Sequence, residues 1–151
     1  MIVICEPQCR EMSHEKVNSG FIYALSLAYP QEKICFFADK SHIQSIKKIF
    51  IHDNIFVNNI KFIPIKFRDS LSFIGMLTFF SLFKKMFVNV MARGTDKIFF
   101  LSFSPLILYI LKKLKQKPCF SKMKFSFVLH GAFEDIAGKA VSSNISSIDL
   151  L

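Results

Sequence analysis

A chain of 151 residues that is 52% hydrophobic and carries 19 phenylalanines has the size and apolar content of one folded domain. This excludes both a disordered chain and a pair of independent cores. Its 20 Lys and Arg against 11 Asp and Glu, a net charge of +9, make a general field for polyanions. No RNA-recognition, zinc-finger or basic-helix signature accompanies that charge, so nucleic acid is not an expected partner.

The first apolar run, Ile2 to Cys5, is closed by Glu6-Pro7 and reads as a strand buried in a parallel sheet. It lacks the basic lead and long apolar stretch of a secretory signal, which gives a cytoplasmic expectation. From Ser13 or His14 to about Tyr29, apolar residues at Val17, Phe21, Ala24, Leu25 and Ala28 recur at helical spacing, and Pro30 stops the pattern. Lys33 to Ala38 is a second strand. Ile43, Ile46, Lys47 and Phe50 mark a short amphipathic helix. Ile60 to Phe67 is a third strand, with Pro64 pointing to an edge position, and Ile55-Phe56-Val57 adds a small strand before it.

A longer helix, capped by Asp69 or Ser70 and ending near Ala92 before Arg93-Gly94, is apolar almost all round, as in helices packed on two sides or against a partner. Ile98 to Phe103 is the fourth strand. Ser104-Pro105 supplies a cap and a first-turn proline for a helix over Leu106 to Leu114. Lys124 to Leu129 is the fifth strand and leads into His130-Gly131. The apolar segments Leu71–Phe83 and Ile98–Leu111 are too short to span a bilayer and are closed by lysine pairs, which favours buried helix and strand.

The alternation β-α-β-α-β-α-β-α-β predicts an α/β fold, a Rossmann-like open parallel sheet with helices on both faces, in a single domain over 1–138. Residues 139–151 read as a polar tail at which the chain is cut off. Cys5, Cys9, Cys35 and Cys119 form no C-x-x-C pair and have no histidine at zinc-finger spacing, so no metal is expected. Cys5 and Cys35 sit in apolar runs, where a thiol packs as a small hydrophobe.

In such a sheet, ligands meet the carboxyl ends of the strands. That rule selects Glu6, Gln8, Cys9, Arg10, Glu11, Ser13, His14 and Glu15 after the first strand, and Asp39 and His42 after the second. Ser102 and Ser104 follow the fourth strand, and His130, Gly131, Glu134 and Asp135 the fifth. Two imidazoles, His14 and His130, at one crevice suit acid/base catalysis. Ser13, Glu15, Asp39, Ser102, Ser104, Gly131 and Glu134 are the expected substrate contacts. Asp39 stands where a dinucleotide domain would bind a ribose, but the first loop, Glu6-Pro7-Gln8-Cys9-Arg10, has no G-x-G-x-x-G, so a capping role suits it better. A dehydrogenase is thereby disfavoured, and no Walker lysine loop, G-x-S-x-G elbow or H-E-x-x-H helix is present.

The succession Ile2-Val3-Ile4-Cys5, Ser13 through Gly20 and Ile34 through Ala38, followed by Asp96 through Ser102 and Phe127-Val128-Leu129-His130-Gly131, resembles the N-terminal half of group 1 glycosyltransferases with the two-domain GT-B fold. The likeness covers about residues 1 to 135. It implies the acceptor-binding N-terminal domain of an enzyme that moves a sugar from a nucleotide-sugar, in cell-surface polysaccharide or lipopolysaccharide synthesis. The implied partners are a sugar acceptor, lipid-linked or not, and a donor-binding C-terminal domain or second chain. The resemblance implies no cofactor and no metal, the nucleotide-sugar being the donor substrate of the whole enzyme. Ser13-His14 stands where that family often has paired glycines, and its donor domain, with basic residues and paired glutamates, has no counterpart in 151 residues. The lysines and the apolar helix from Ser70 to Ala92 add an expected peripheral contact with the inner membrane face. The reading of another class is a non-catalytic α/β module that docks a partner protein.

Overall fold

The computed structural model describes residues 1–9, 14–66, 97–102, 105–128 and 149–150, together with Ser81, Phe83, Lys84, Met86 and Val88. The five apolar runs become strands β1 (Ile2–Glu6), β2 (Ile34–Ala38), β3 (Ile60–Pro64), β4 (Lys97–Phe100) and β5 (Lys124–Phe127), and Asp149–Leu150 adds a two-residue β6. Helix α1 spans Glu15–Ala28, α2 Lys40–His52 and α3 Pro105–Lys115, and a 3-10 turn covers Pro118–Phe120.

Every strand pair is parallel, and the order is β3-β2-β1-β4-β5-β6. The chain winds outward from β1 to β3 and then returns to the other side of β1 to lay down β4. Strand order therefore reverses between β1 and β4, the place where open α/β sheets form their crevice.

All five residues of β1 are buried, because helices cover both faces of the sheet. Alternation along the strand divides the core in two. Val3 and Cys5 pack with Ile107 and Leu111 of α3 and with Phe83 and Met86, whereas Ile2 and Ile4 pack with Ile22 of α1 and Ile43 and Ile46 of α2. This is the doubly wound α/β architecture that the strand-helix alternation predicts.

Several local expectations need correction. Ile55-Phe56-Val57 is not a strand, and Phe56 is 88% exposed, since β2 already has its outer neighbour in β3. Pro64 ends β3, an edge strand among the described residues, where its missing N–H costs no ladder bond. In the polar tail, Asp149 and Leu150 pair with Ser126 and Phe127 of β5, so the sheet recruits residues that polarity alone assigned to a tail. The tail's other residues lie outside the described ones. So does most of the expected helix from Ser70 to Ala92. Its described positions are helical, with Phe83 and Met86 buried and Lys84 and Val88 exposed.

The largest correction concerns α1. Val17 is 50% exposed, while Asn18, Ser19, Ile22 and Ser26 are buried. The helix is rotated about one residue from its apolar stripe. Small side chains let it lie close to the sheet, and the two hydroxyls are satisfied locally, Ser19 by Lys16 O at 2.9 Å and Ser26 by Tyr23 O at 2.7 Å. The C-terminal end of α1 is tied to the start of β3 by Asn59, whose amide donates to Ser26, Tyr29 and Glu32 carbonyls at 3.4, 3.0 and 3.2 Å. Among the described residues, no helix is long and apolar enough to cross a membrane. The apolar stretch from Ile98 divides into strand β4 and helix α3.

Candidate functional site

The reversal between β1 and β4 is marked by a buried polar cluster. Glu6, the last residue of β1, is fully buried. Its Oε1 accepts the backbone N–H groups of Gln8 at 2.9 Å and Cys9 at 3.1 Å, which folds the chain back as it leaves the strand. The Ser102 hydroxyl, two residues past the end of β4, donates to the same oxygen. Oε2 accepts from the Asn18 side-chain amide at 3.2 Å. One carboxylate thus joins the exit of β1, the exit of β4 and the second turn of α1.

Asn18 extends the cluster to α2. Its amide nitrogen lies 2.9 Å from Nε2 of His42, which is itself fully buried. In this orientation the amide donates both to the carboxylate and to the ring. Asn18 Oδ1 is left buried with no hydrogen-bond partner among the described residues. An orphaned buried acceptor costs about 1–3 kcal/mol, so an arrangement that keeps one needs a reason.

Cys9 closes the cluster from the loop side. Burial, the charge of Glu6 and a hydrogen bond to Glu6, in that order, push its thiol up to about 12, against a smaller opposing pull from Asn18. Cys5 moves in the same direction, first through burial and then through Glu6. Both thiols therefore keep their protons, and neither is a nucleophile at neutral pH. In the folded protein, thiol reagents at pH 8 are expected to leave Cys5, Cys9 and Cys35 unmodified, as counted by mass spectrometry, and to label all three after denaturation. The linkage has a definite sign. Unfolded thiols ionise near 9 while folded Cys9 holds its proton to about 12, so stability falls as pH rises through that window.

The residues selected from sequence fare differently. His14 lies at the carboxyl edge of the sheet, exposed, in a left-handed conformation with φ 55°, a region histidine enters more readily than most residues. It opens α1 through its carbonyl, which accepts from Asn18 N–H at 2.9 Å, and not through its ring. Glu15 follows as the only acidic residue of the first turn, where it complements the helix dipole. Asp39 caps α2, its Oδ1 accepting from Ser41 N at 2.8 Å and Ser41 Oγ at 2.6 Å. Ser102 is drawn into the Glu6 cluster. Ser13, Ser104, His130, Gly131 and Glu134 lie outside the described residues, as does the pairing of His14 with His130.

Sequence reasoning placed Glu6, Cys9 and His42 at strand ends without singling them out, and it missed Asn18. The available signal was an asparagine one helical turn after His14, on the stripe that continues to Ile22 and Ser26. Among the described residues, no group of three or more His, Cys, Asp or Glu side chains is arranged to hold a metal. With donors from the β1 exit, α1 and the β4 exit around it among the described residues, Glu6 is a positioning group: it fixes the two strand exits and the helix start that rim the crevice.

Comparison with protein-family models, with curated proteins and with solved structures finds no match for this chain.

Proposed function

We propose that this chain is the acceptor-binding domain of a nucleotide-sugar-dependent glycosyltransferase of cell-surface polysaccharide or lipopolysaccharide synthesis. It would work with a donor-binding domain or second chain. The observation that carries the reading is the Glu6–Asn18–Ser102 cluster at the β1–β4 reversal, which organises the carboxyl edge where a ligand of an open parallel sheet is received. The sequence likeness to group 1 glycosyltransferases supplies the chemistry.

On this reading the first turn of α1 offers His14 to the acceptor. Asn18 is hydrogen-bonded to the His14 carbonyl through its backbone and to Glu6 through its side chain. The imidazole thus projects from a turn that the cluster fixes. An exposed imidazole so held suits proton abstraction from a sugar hydroxyl.

Calorimetric titration of the chain with nucleotide-sugars and with glycan acceptors tests the proposal. Acceptor glycans are expected to bind and donors only feebly, and His14→Asn, which keeps a residue suited to the left-handed backbone, is expected to weaken acceptor binding about tenfold with little change in the unfolding midpoint. Tight nucleotide-sugar binding by this chain alone, or acceptor binding indifferent to His14, would overturn the assignment.

A further inference from the structure

The edge of the sheet opposite the polar cluster gathers charge of one sign. Because all the strands are parallel, Lys33 just before β2, Lys61 in β3, Lys97 in β4 and Lys124 in β5 share the amino-terminal edge, and all four are exposed. Lys97 and Lys124 are register partners on adjacent strands, which sets their backbones about 5 Å apart. Lys117 and Lys122 add exposed ammonium groups in the segment entering β5. The two carboxylates described at this edge each have a partner, Glu32 the Met1 ammonium at 2.6 Å and Asp53 the His52 ring Nδ1 at 2.7 Å.

The same edge exposes apolar side chains. The helices run back against the strands, so their C-terminal ends arrive here, bringing Leu27 and Tyr29 from the end of α1 and Ile51 from the end of α2, with Phe56 in the connection to β3. Ile51 is 78% and Phe56 88% exposed. Lys97 Nζ stands 5.9 Å from the Tyr29 ring centre. Between the starts of β2 and β3 opens a shallow cleft of about 440 Å³ flanked by Lys33 and Lys61, with Gln31 and Asn58 on its rim and Glu32, the partner of the Met1 ammonium, also in its lining.

We infer that this amino-terminal edge docks on an anionic lipid bilayer. The lysines meet the headgroup phosphates, the cleft between Lys33 and Lys61 has room for one of them, and Phe56 and Ile51 enter the boundary between headgroups and acyl chains. Lysine density alone would suit any polyanion. The exposed isoleucine beside the phenylalanine favours lipid, since a duplex encloses its bases and offers an aliphatic side chain no apolar volume while the bilayer interface does. The polar cluster then faces away from the membrane, and the surface function stands independently of any sugar bound there.

Sedimentation with vesicles of neutral phosphatidylcholine, with and without one-quarter phosphatidylglycerol, tests this. The chain is expected to sediment with the anionic vesicles only, and to be released by high salt. Lys33→Glu, Lys61→Glu and Lys124→Glu together are expected to weaken binding on the order of a hundredfold, at about fivefold per lysine lost from an anionic surface. The same charge change at the opposite edge, Lys16→Glu, Lys40→Glu and Lys66→Glu, all exposed, is expected to cost no more than a few-fold. Phe56→Ser is expected to weaken binding several-fold in the unaltered charge background. Failure to bind anionic vesicles, equal losses in the two triple variants, or tighter binding to a nucleic-acid duplex through the same lysines would each overturn the inference.

Discussion

Glu6→Ala is expected to destabilise the chain by about 3–5 kcal/mol, measured as a lower urea midpoint. Among the described residues the side chain collects donors from three parts of the fold: the loop after β1, the first half of α1 and the exit of β4. Removing it leaves the Cys9 N–H and one N–H of the Asn18 amide, whose other partner is His42, buried without an acceptor, each at about 1–3 kcal/mol. Ser102 can turn its hydroxyl elsewhere, and the part-buried Gln8 N–H is better placed to find water. Set against a typical domain stability of about 5–15 kcal/mol, this is a large fraction. Glu6→Gln, which keeps one acceptor oxygen, is expected to lose roughly half as much. A second readout separates loss of the carboxylate from general loosening. With the charge gone, the Cys9 thiol should titrate lower than about 12 yet stay above its ordinary value, because burial is the larger cause. A loss under about 1 kcal/mol for Glu6→Ala would show that the cluster does not hold these loops.

That cluster also shows what the sequence made legible. The strands were visible because a parallel sheet covered on both faces needs unbroken apolar runs, and Ile2–Cys5 and Ile34–Ala38 are such runs. The carboxyl edge followed from the alternation, and Glu6, His42 and Ser102 fell within it by position. What did not show was the face of α1. The apolar stripe through Val17, Phe21 and Ala24 was the stronger periodic signal, but the buried stripe carries Asn18, Ser19 and Ser26, polar residues whose partners are a carboxylate on another element and carbonyls on their own helix. Periodicity counts apolar side chains and is blind to polar ones that find hydrogen bonds inside. In the same way β6 was hidden, since Asp149–Leu150 is held by backbone pairing to β5, which no side-chain pattern announces. The capping role of Asp39 was readable because it is local: an aspartate two residues before Ser41 needs no tertiary information to accept its N–H.

Phe100→Ala is expected to cost about 3–5 kcal/mol through the cavity it leaves, and its consequence reaches the crevice. Phe100 is the last residue of β4, fully buried, with its ring stacked between Phe83 at 5.8 Å and Phe127 at 5.3 Å and tilted against Phe125 at 6.3 Å. Aromatic pairs of this kind add about 0.5–1.5 kcal/mol beyond the area they bury. The backbone at this point is shared with the site. Phe100 O accepts from Val128 N at 2.9 Å, Leu101 N donates to Cys5 O at 3.0 Å, and Ser102 then reaches Glu6. Loss of the ring loosens the strand exit that presents Ser102, so, if the chain binds the acceptor as proposed, that binding should weaken together with stability. Phe62 offers the contrast. It lies on edge strand β3, half-buried, in edge-on contact with Phe36 and Phe50 and covered by Lys47. Phe62→Ala is expected to cost less than Phe100→Ala by at least about 1 kcal/mol and to leave the proposed ligand binding unchanged, because Phe62 is only half-buried on an edge strand and its removal opens space that solvent can reach. Equal losses in the two variants would mean that stability is not concentrated in the aromatic stack behind the β1–β4 reversal.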